Sequence, residues 1–379
     1  MSTSAQSLPS TCRALVCSGV GKPLTVENIP VPEAIPGSAV VRVIAGSVEP
    51  SLKHIMDGLI PGLTFPTPFV PGTRAIGRIA ATGPDATSLQ PGQLVILDCF
   101  IRGRDDSNVQ FLWGTGVFGG DPAATKLMEN VWRNGGSAEY CRIPLENCYA
   151  LNEQVLLGDP AQGGLGYTIG DLLHLTRDMV SYGGLRGIGL KAGETIIIAP
   201  ATGSYSGAAV EMASAMGARV IAVGRNADVL KKQAADNPRV SIYQLKGNVE
   251  EDLAGLKKFG TIDAYLDISP AQADNSTHVR SCMMAVKKYG RVSLMGIISK
   301  DIAIPYVHAV LNNLTIRGQY MYEREDVQGL IKLAETGVRK LGKSAGHSIV
   351  GNFSLDEWEK AIEVSSANPE AGKIVQFML

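Results

Sequence analysis

The chain has 379 residues, 45% of them hydrophobic and 19% charged, with a formal net charge of −1. At roughly 100–200 residues per domain, that length predicts two domains, each able to bury its own core. The balanced charge gives no electrostatic reason to expect nucleic acid or an anionic membrane surface. Nor does any charge block reach the length of an interaction tail. The polar stretch Met1 to Thr11 lacks the apolar core of a signal peptide. The longest apolar runs, such as Thr195 to Ala201, fall far short of the ~20 residues that span a bilayer. A cytoplasmic protein is expected. The six cysteines (Cys12, Cys17, Cys99, Cys141, Cys148 and Cys282) are scattered without a CxxC pair, so they read as buried or idle thiols of a reducing compartment.

In chain order, the first third reads as β-rich. Pro36-Gly37 leads into a strand over Ala39 to Ala45, and Gly77 to Gly83 and Gln93 to Leu97 form two more around the turn Pro91-Gly92. Short strands at this spacing suggest a partly open barrel or sandwich. Residues 100–136 carry many Gly, Asp, Asn and Trp and read as a long loop region. Regularity resumes at Gly136 to Pro144.

From about residue 160 the pattern changes. A helical stretch over Ile169 to Tyr182 leads through Gly183-Gly184 and Gly193 into the apolar strand Thr195 to Ala199. A helix follows over Gly207 to Met216, capped by Gly217, then a strand over Arg219 to Val223 and a helix near Asp228 to Asp236. Short runs at Ile262 to Ile268, Arg291 to Gly296 and Leu314 to Gly318 alternate with further helical stretches. Continuous apolar strands separated by helices predict a parallel sheet covered on both faces. Near the C-terminus a helix carries Trp358, Ala361 and Ile362, and a last strand, Lys373 to Leu379, has no partner nearby in sequence.

The unit from Thr195 to Val223 has the size of a βαβ crossover, about 30 residues. A helix that starts just after a glycine-containing turn presents unpaired backbone N–H groups and a positive dipole end, which suits a pyrophosphate. The turn is Ala201-Thr202-Gly203-Ser204-Tyr205-Ser206. The three glycine positions of the usual fingerprint read Ala201, Gly203 and Ser206, so only the middle one is kept. The second strand ends Val223-Gly224-Arg225-Asn226. An acidic residue there would serve the ribose hydroxyls of NAD. A glycine beside an arginine instead suits a 2′-phosphate, so NADP(H) is the expected cofactor. Ligands of such sheets bind at the carboxyl ends of the strands, which adds Ser269, Gly296 and Ile297 on the nicotinamide side.

With these pieces in order, the chain resembles the medium-chain dehydrogenase/reductase superfamily over nearly its whole length. The matching segments are Pro36 to Val43, Pro71-Gly72-Thr73 with Gly77, Leu89 to Val95, Gly136 to Tyr140, Leu190 to Glu194, Ala209 to Ala218 and Ala371 to Val375. The resemblance implies a GroES-like β-rich catalytic domain over residues 1–165, a Rossmann NADP-binding domain with a doubly wound parallel sheet over 166–318, and a return to the catalytic domain over 319–379. It also implies a homodimer, through an edge strand at Leu314 to Arg317. Zinc members carry a cysteine, a histidine and a glutamate where this chain has Glu49, Thr73 and Arg74. Where their four-cysteine lobe belongs, near residues 99–112, only Cys99 occurs. The chain is therefore more similar to the zinc-independent quinone oxidoreductase and enoyl reductase branch, and no metal is expected.

Without a Lewis acid, reduction of a conjugated C=C is the easier chemistry. Hydride goes to the β-carbon, negative charge spreads onto the carbonyl oxygen, and a proton reaches the α-carbon from a side chain or water. Lys53 and His54 are candidate proton donors, and Glu49 is a candidate to position water or pair with Lys53. Tyr167 and Thr168 are alternatives. Lys373 is a candidate for the cofactor phosphates. His174, His278, His308 and His347 show no spacing that links them and are expected to be structural or exposed. The expected function is NADPH-dependent reduction of a small-molecule, apolar carbonyl substrate of the enone or quinone type. The alternatives are a ketone reductase or alcohol dehydrogenase, or a non-redox cyclase, isomerase or cofactor-binding protein on the same scaffold.

Overall fold

Ala39, Val40, Val41, Val43 and Ala45 are all fully buried, which marks the strand that carries them, Ser38–Ser47, as the centre of a sheet rather than its edge. In the computed structural model, which describes residues 8–379 apart from Asp236 and Ser299, that strand has three antiparallel partners. They are Ala75–Thr82, Tyr140–Pro144 and, at its far end, Lys373–Met378. The seven-stranded sheet runs in the order Cys148–Ala150, Leu94–Leu97, Ala75–Thr82, Ser38–Ser47, Lys373–Met378, Ser348–Phe353, with Tyr140–Pro144 beside the central strand. The last strand of the chain thus pairs with a strand near the opposite end of the sequence, Phe377 opposite Gly46, and, contrary to expectation, also has a partner nearby in sequence, the parallel strand Ser348–Phe353. Ahead of the central strand, Thr11–Cys17 and Leu24–Pro30 pair as an antiparallel hairpin. The polar start up to Ser7, and Asp236 at the end of the helix expected over Asp228 to Asp236, lie outside the described residues.

The second sheet has six strands, all paired parallel. Its order is Val240–Gln244, Arg219–Gly224, Thr195–Ala199, Ala264–Asp267, Arg291–Leu294, Thr315–Gly318. Numbered along the chain, that is 3-2-1-4-5-6, the doubly wound order of dinucleotide-binding folds. Thr195–Ala199 lies in the middle because four of its five residues are buried. Ile197, Ile221, Tyr265 and Val292 from four of the strands meet Val279, Cys282 and Met283 of a covering helix in one core. Side-chain amides set the helix starts: Asn226 accepts from the N–H groups of Asp228 and Val229, and Asn248 from that of Glu251.

Two compact units result. One comprises residues 1–176, 341–368 and 373–379, the other 177–340 and 369–372. Their borders lie elsewhere than 165 and 318 for a physical reason. Arg339 reaches Asp178 and Glu211 through charged hydrogen bonds of 2.6–3.1 Å, and this ties the segment through Lys340 to the parallel-sheet unit. Residues 100–136, read as a loop, contain short strands at Phe100–Arg102, Gln110–Leu112 and Val117–Phe118 and the helix Pro122–Asn130. Its start was legible: Asp121 accepts from the N–H of Ala123, with proline at the first helical position.

Candidate cofactor and active site

Strand Thr195–Ala199 delivers the chain into the turn at 200–203, and helix Ser204–Ala215 leaves it. The first-turn N–H groups of that helix have no intrahelical acceptor, and the dipole favours an anion beside them. Gly203 itself has an extended backbone (φ −89°, ψ 173°) and faces outward. Its N–H donates to the Ser206 hydroxyl over 2.9 Å, and that hydroxyl returns its proton to the Gly203 carbonyl over 3.3 Å. Ser206 is therefore turned inward and braces the turn, whereas Thr202, Gly203 and Ser204 form its outer rim. The glycine that tolerates no side chain is Gly207, where a Cβ would overlap the methyl group of Ala371. Gln233 steadies the other side by donating to the Ala201 carbonyl over 2.7 Å. The Tyr205 carbonyl accepts from Ser181 over 2.8 Å.

At the end of the neighbouring strand, Gly224 is buried and a Cβ on it would come within 2.9 Å of the Thr202 methyl. Arg225 is exposed, and Gln244 holds its carbonyl over 3.1 Å. Asn226, nominated for the cofactor, spends its side-chain oxygen on the helix cap instead. The loops after the fourth and fifth strands are locked backbone to backbone. Ile297 N–H donates to the Ser269 carbonyl over 2.9 Å, and Met295 N–H to the Asp267 carbonyl over 2.8 Å. Gly296 lies so close that a Cβ would sit 2.6 Å from Asp267 Oδ2 and 2.8 Å from Ser269 N. Beneath them, burial pushes the Tyr265 phenol well up and the Asp267 charge adds to it, so this hydroxyl is a neutral donor.

In the other unit, Glu49 does not pair with Lys53. Arg74 Nη1 donates to Glu49 Oε1, with the two side chains only 6% and 14% exposed, and Ser47 Oγ donates to the same oxygen over 3.1 Å. Lys53 is exposed and pairs with Asp57 one helical turn on. The Glu49 loop is clamped from the C-terminal helix: Ser365 donates to the Val48 carbonyl over 2.6 Å and Ser366 to that of Pro50 over 3.2 Å. The Arg74 loop is wedged as tightly. Gly72 has φ +111°, and a Cβ there would lie 2.6 Å from Ser137 N; its carbonyl accepts from Gly136 over 2.7 Å.

Other nominated residues fall outside this cluster. His54 is exposed on the short helix Leu52–Met56. Thr168 caps Ile169–Leu172 in a reciprocal pair with Asp171, and Tyr167 precedes it, half-buried. Lys373 donates to Asn368 over 3.0 Å. His174 and His347, unlinked by spacing, are both buried, with their rings stacked at 3.9 Å. Sequence reasoning missed Arg74 as a partner for Glu49, although an arginine directly after Pro71-Gly72-Thr73 was a signal.

The family profile described as "Alcohol dehydrogenase GroES-like domain" matches residues 35–153, and that described as "Zinc-binding dehydrogenase" matches residues 206–336. The chain belongs to the medium-chain dehydrogenase/reductase superfamily. It is an oxidoreductase of that type, with a GroES-like domain and a Rossmann-type parallel sheet that implies an NAD(P) cofactor. An alcohol dehydrogenase of Geobacillus stearothermophilus is 24% identical over 86% of this chain and 89% of its own length. A quinone oxidoreductase-like protein 2 homolog of Nematostella vectensis is 24% identical over 96% of this chain and 88% of its own. In fold, the chain is similar to a short chain alcohol dehydrogenase of E. coli CFT073 solved with NADH, with a TM-score of 0.75 at 15% identity over 98% of this chain and 100% of that one.

The donors fit one of the two groups such a family implies. The open first turn after Gly203, the packed Gly207 and the recessed Gly224 suit a dinucleotide. Zinc does not fit the residues at Glu49, Thr73 and Arg74: a guanidinium lies directly on the one carboxylate of the three, where a dication would be repelled. Among the described residues, no group of three His, Cys, Asp or Glu side chains is placed to hold a metal. Nor is any helix among them long and apolar enough to cross a membrane.

Proposed function

We propose that the chain reduces a conjugated carbonyl of the enone or quinone type with NADPH and without zinc. The observation that carries this reading is the Glu49–Arg74 pair, which puts a fixed internal cation on the carboxylate of the active-site loop. The backbone of Thr202, Gly203 and Ser204 would bind the pyrophosphate, Gly224 and Arg225 the 2′-phosphate, and Ser269, Gly296 and Ile297 the nicotinamide side. When bound, the cofactor supplies the hydride. With Thr168 and Lys53 committed to Asp171 and Asp57, His54 and Tyr167 are the proton donors we favour for the α-carbon. The six buried thiols suit a reducing compartment, and the cytoplasm is the proposed location.

The test is the fate of deuterium from 4-deuterated NADPH. Label at the β-carbon of an enone is expected; label at the carbonyl carbon would instead support the alcohol dehydrogenase activity that several relatives are named for. Dialysis against a strong chelator should leave the rate unchanged. A loss of activity restored by added zinc would overturn the metal-free part of the proposal.

A homodimer is proposed on a separate observation. Among the described residues, strand Thr315–Gly318 has a neighbour on one side only, and the helix before it exposes Tyr306, Val307, Val310 and Leu311 by 57–72%. An open β edge beside an apolar helix face is covered most simply by the same elements of a second copy. Light scattering should give twice the chain mass for the native protein and the chain mass for Val307→Glu with Leu311→Glu. A native protein that is monomeric at micromolar concentration would sink this assignment.

A further inference from the structure

His278, expected to be structural or exposed, is buried with Asp267 and Ser269 at the carboxyl end of strand Ala264–Asp267. Ser269 Oγ lies 2.7 Å from Asp267 Oδ1 and 2.9 Å from His278 Nε2, and Nε2 lies 3.2 Å from that same Oδ1. The other ring nitrogen, Nδ1, is 2.6 Å from Ser276 Oγ. Tyr265 donates to Asp267 Oδ1 over 3.1 Å, and Ser269 N–H to Oδ2 over 3.4 Å.

Counting protons fixes the arrangement. The Ser269 hydroxyl has one proton to give. Given to Nε2, it would leave Nε2 and Oδ1 facing each other as two acceptors with no hydrogen between them. Given to Asp267, it leaves Nε2–H to donate to both the hydroxyl oxygen and the carboxylate, and every contact then holds a hydrogen. Nε2 therefore carries a hydrogen, and Ser276 Oγ lies within hydrogen-bond reach of Nδ1. The group is not a nucleophile–base pair, because the serine proton points at the carboxylate and not at the imidazole.

A buried carboxylate is an expensive way to hold two loops together. Apolar side chains of similar volume often do so at equal or lower free energy, and what a polar group adds is a defined orientation. What it orients is the Ser269 backbone, and through the Ile297–Ser269 and Met295–Asp267 hydrogen bonds the loop of Gly296 as well. Both loops leave the carboxyl ends of parallel strands, where ligands of such sheets bind.

We propose that Asp267 and His278 are positioning residues for the nicotinamide end of the cofactor, holding the Ser269 and Ile297 backbones as one rigid wall of its site. The inference rests on the dinucleotide reading above, and fragment binding separates the two. The wild-type protein should bind both NADPH and 2′-phospho-ADP-ribose, which lacks the nicotinamide, in a fluorescence titration. His278→Leu should weaken NADPH about tenfold, the equivalent of about 1.4 kcal/mol, and leave 2′-phospho-ADP-ribose unchanged. His278→Gln, which keeps an N–H donor, should recover most of the loss. If NADPH and the fragment weaken together, or neither weakens, the positioning role is wrong. If wild-type protein binds neither them nor NADH and ADP-ribose, the dinucleotide reading itself falls. Should His278→Leu fail to fold, Asp267→Asn supplies the same comparison with the same two outcomes.

Discussion

Replacing Arg74 by leucine is expected to destabilise the protein by about 3–5 kcal/mol, because it takes a cation away from the buried Glu49 carboxylate. In a unit of this size that loss corresponds to a fall in melting temperature of roughly 6–20 °C. Most of the cost would come from the weaker compensation of a buried charge and not from the missing contact. The double replacement Glu49→Leu with Arg74→Leu should therefore recover much of it, since apolar pairs of similar volume often match a buried ion pair. Ser47 keeps one donor on Glu49 in the single variant, which places the expected loss toward the lower end of the range. Unchanged melting of Arg74→Leu would show that water or another group already screens the carboxylate. The proposed metal-free reading would then lose the observation that carries it.

The parallel sheet was largely legible because its inner strands are buried on both faces and so read as unbroken apolar runs. Thr195–Ala199, Arg219–Gly224 and Ala264–Asp267 all lie within or next to the segments expected for them. The strand Val240–Gln244 was not anticipated. It forms the outer edge of the sheet, and its mixed burial, with Ser241 and Gln244 facing out, carries no continuous signal. The pairing of Lys373–Met378 with Ser38–Ser47 closes a loop that takes in most of the chain, so no local pattern encodes it, and only the family resemblance, with its return to the catalytic domain, anticipated it.

In the candidate site, backbone features were easier to foresee than side-chain pairing. The turn around Gly203 and the bare Gly224 follow from strand, turn and helix in succession. The ion pair of Glu49 does not, because Lys53 is close to it along the chain and Arg74 is far. Proximity in sequence favoured the lysine, yet the short helix Leu52–Met56 carries Lys53 outward to Asp57, while the hydrogen bond from Ser47 N–H to the Arg74 carbonyl brings the arginine inward. His278 was set aside for a similar reason. Its partners Asp267 and Ser269 are separated from it by a 3₁₀ turn, Ala271–Ala273, whose course no periodicity announces.

On the proposed NADPH reading Arg225 selects the cofactor, and Arg225→Ala is expected to raise the Kd for NADPH about 10–100-fold while leaving NADH nearly unchanged. A hydrogen bond to a charged group contributes about 1.5–3 kcal/mol, and each 1.4 kcal/mol is a factor of about ten. The surroundings concentrate the effect on this one side chain. Asn226 has its oxygen committed to the helix cap, Gly224 contributes only space, and Lys231 lies beside Asp228 at 3.7 Å. Gln244 fixes the Arg225 carbonyl, so the guanidinium is presented from an anchored backbone. Because Arg225 is exposed, its attraction for a phosphate should weaken as salt is added, and the proposed preference for NADPH should shrink between about 50 mM and about 500 mM chloride. Arg225→Asp should go further and favour NADH, since a carboxylate repels the 2′-phosphate and accepts from the ribose hydroxyls. A native protein that already prefers NADH, or an Arg225→Ala variant that keeps its full affinity for NADPH, would remove the 2′-phosphate from this site and leave the dinucleotide fold with the other member of the cofactor pair.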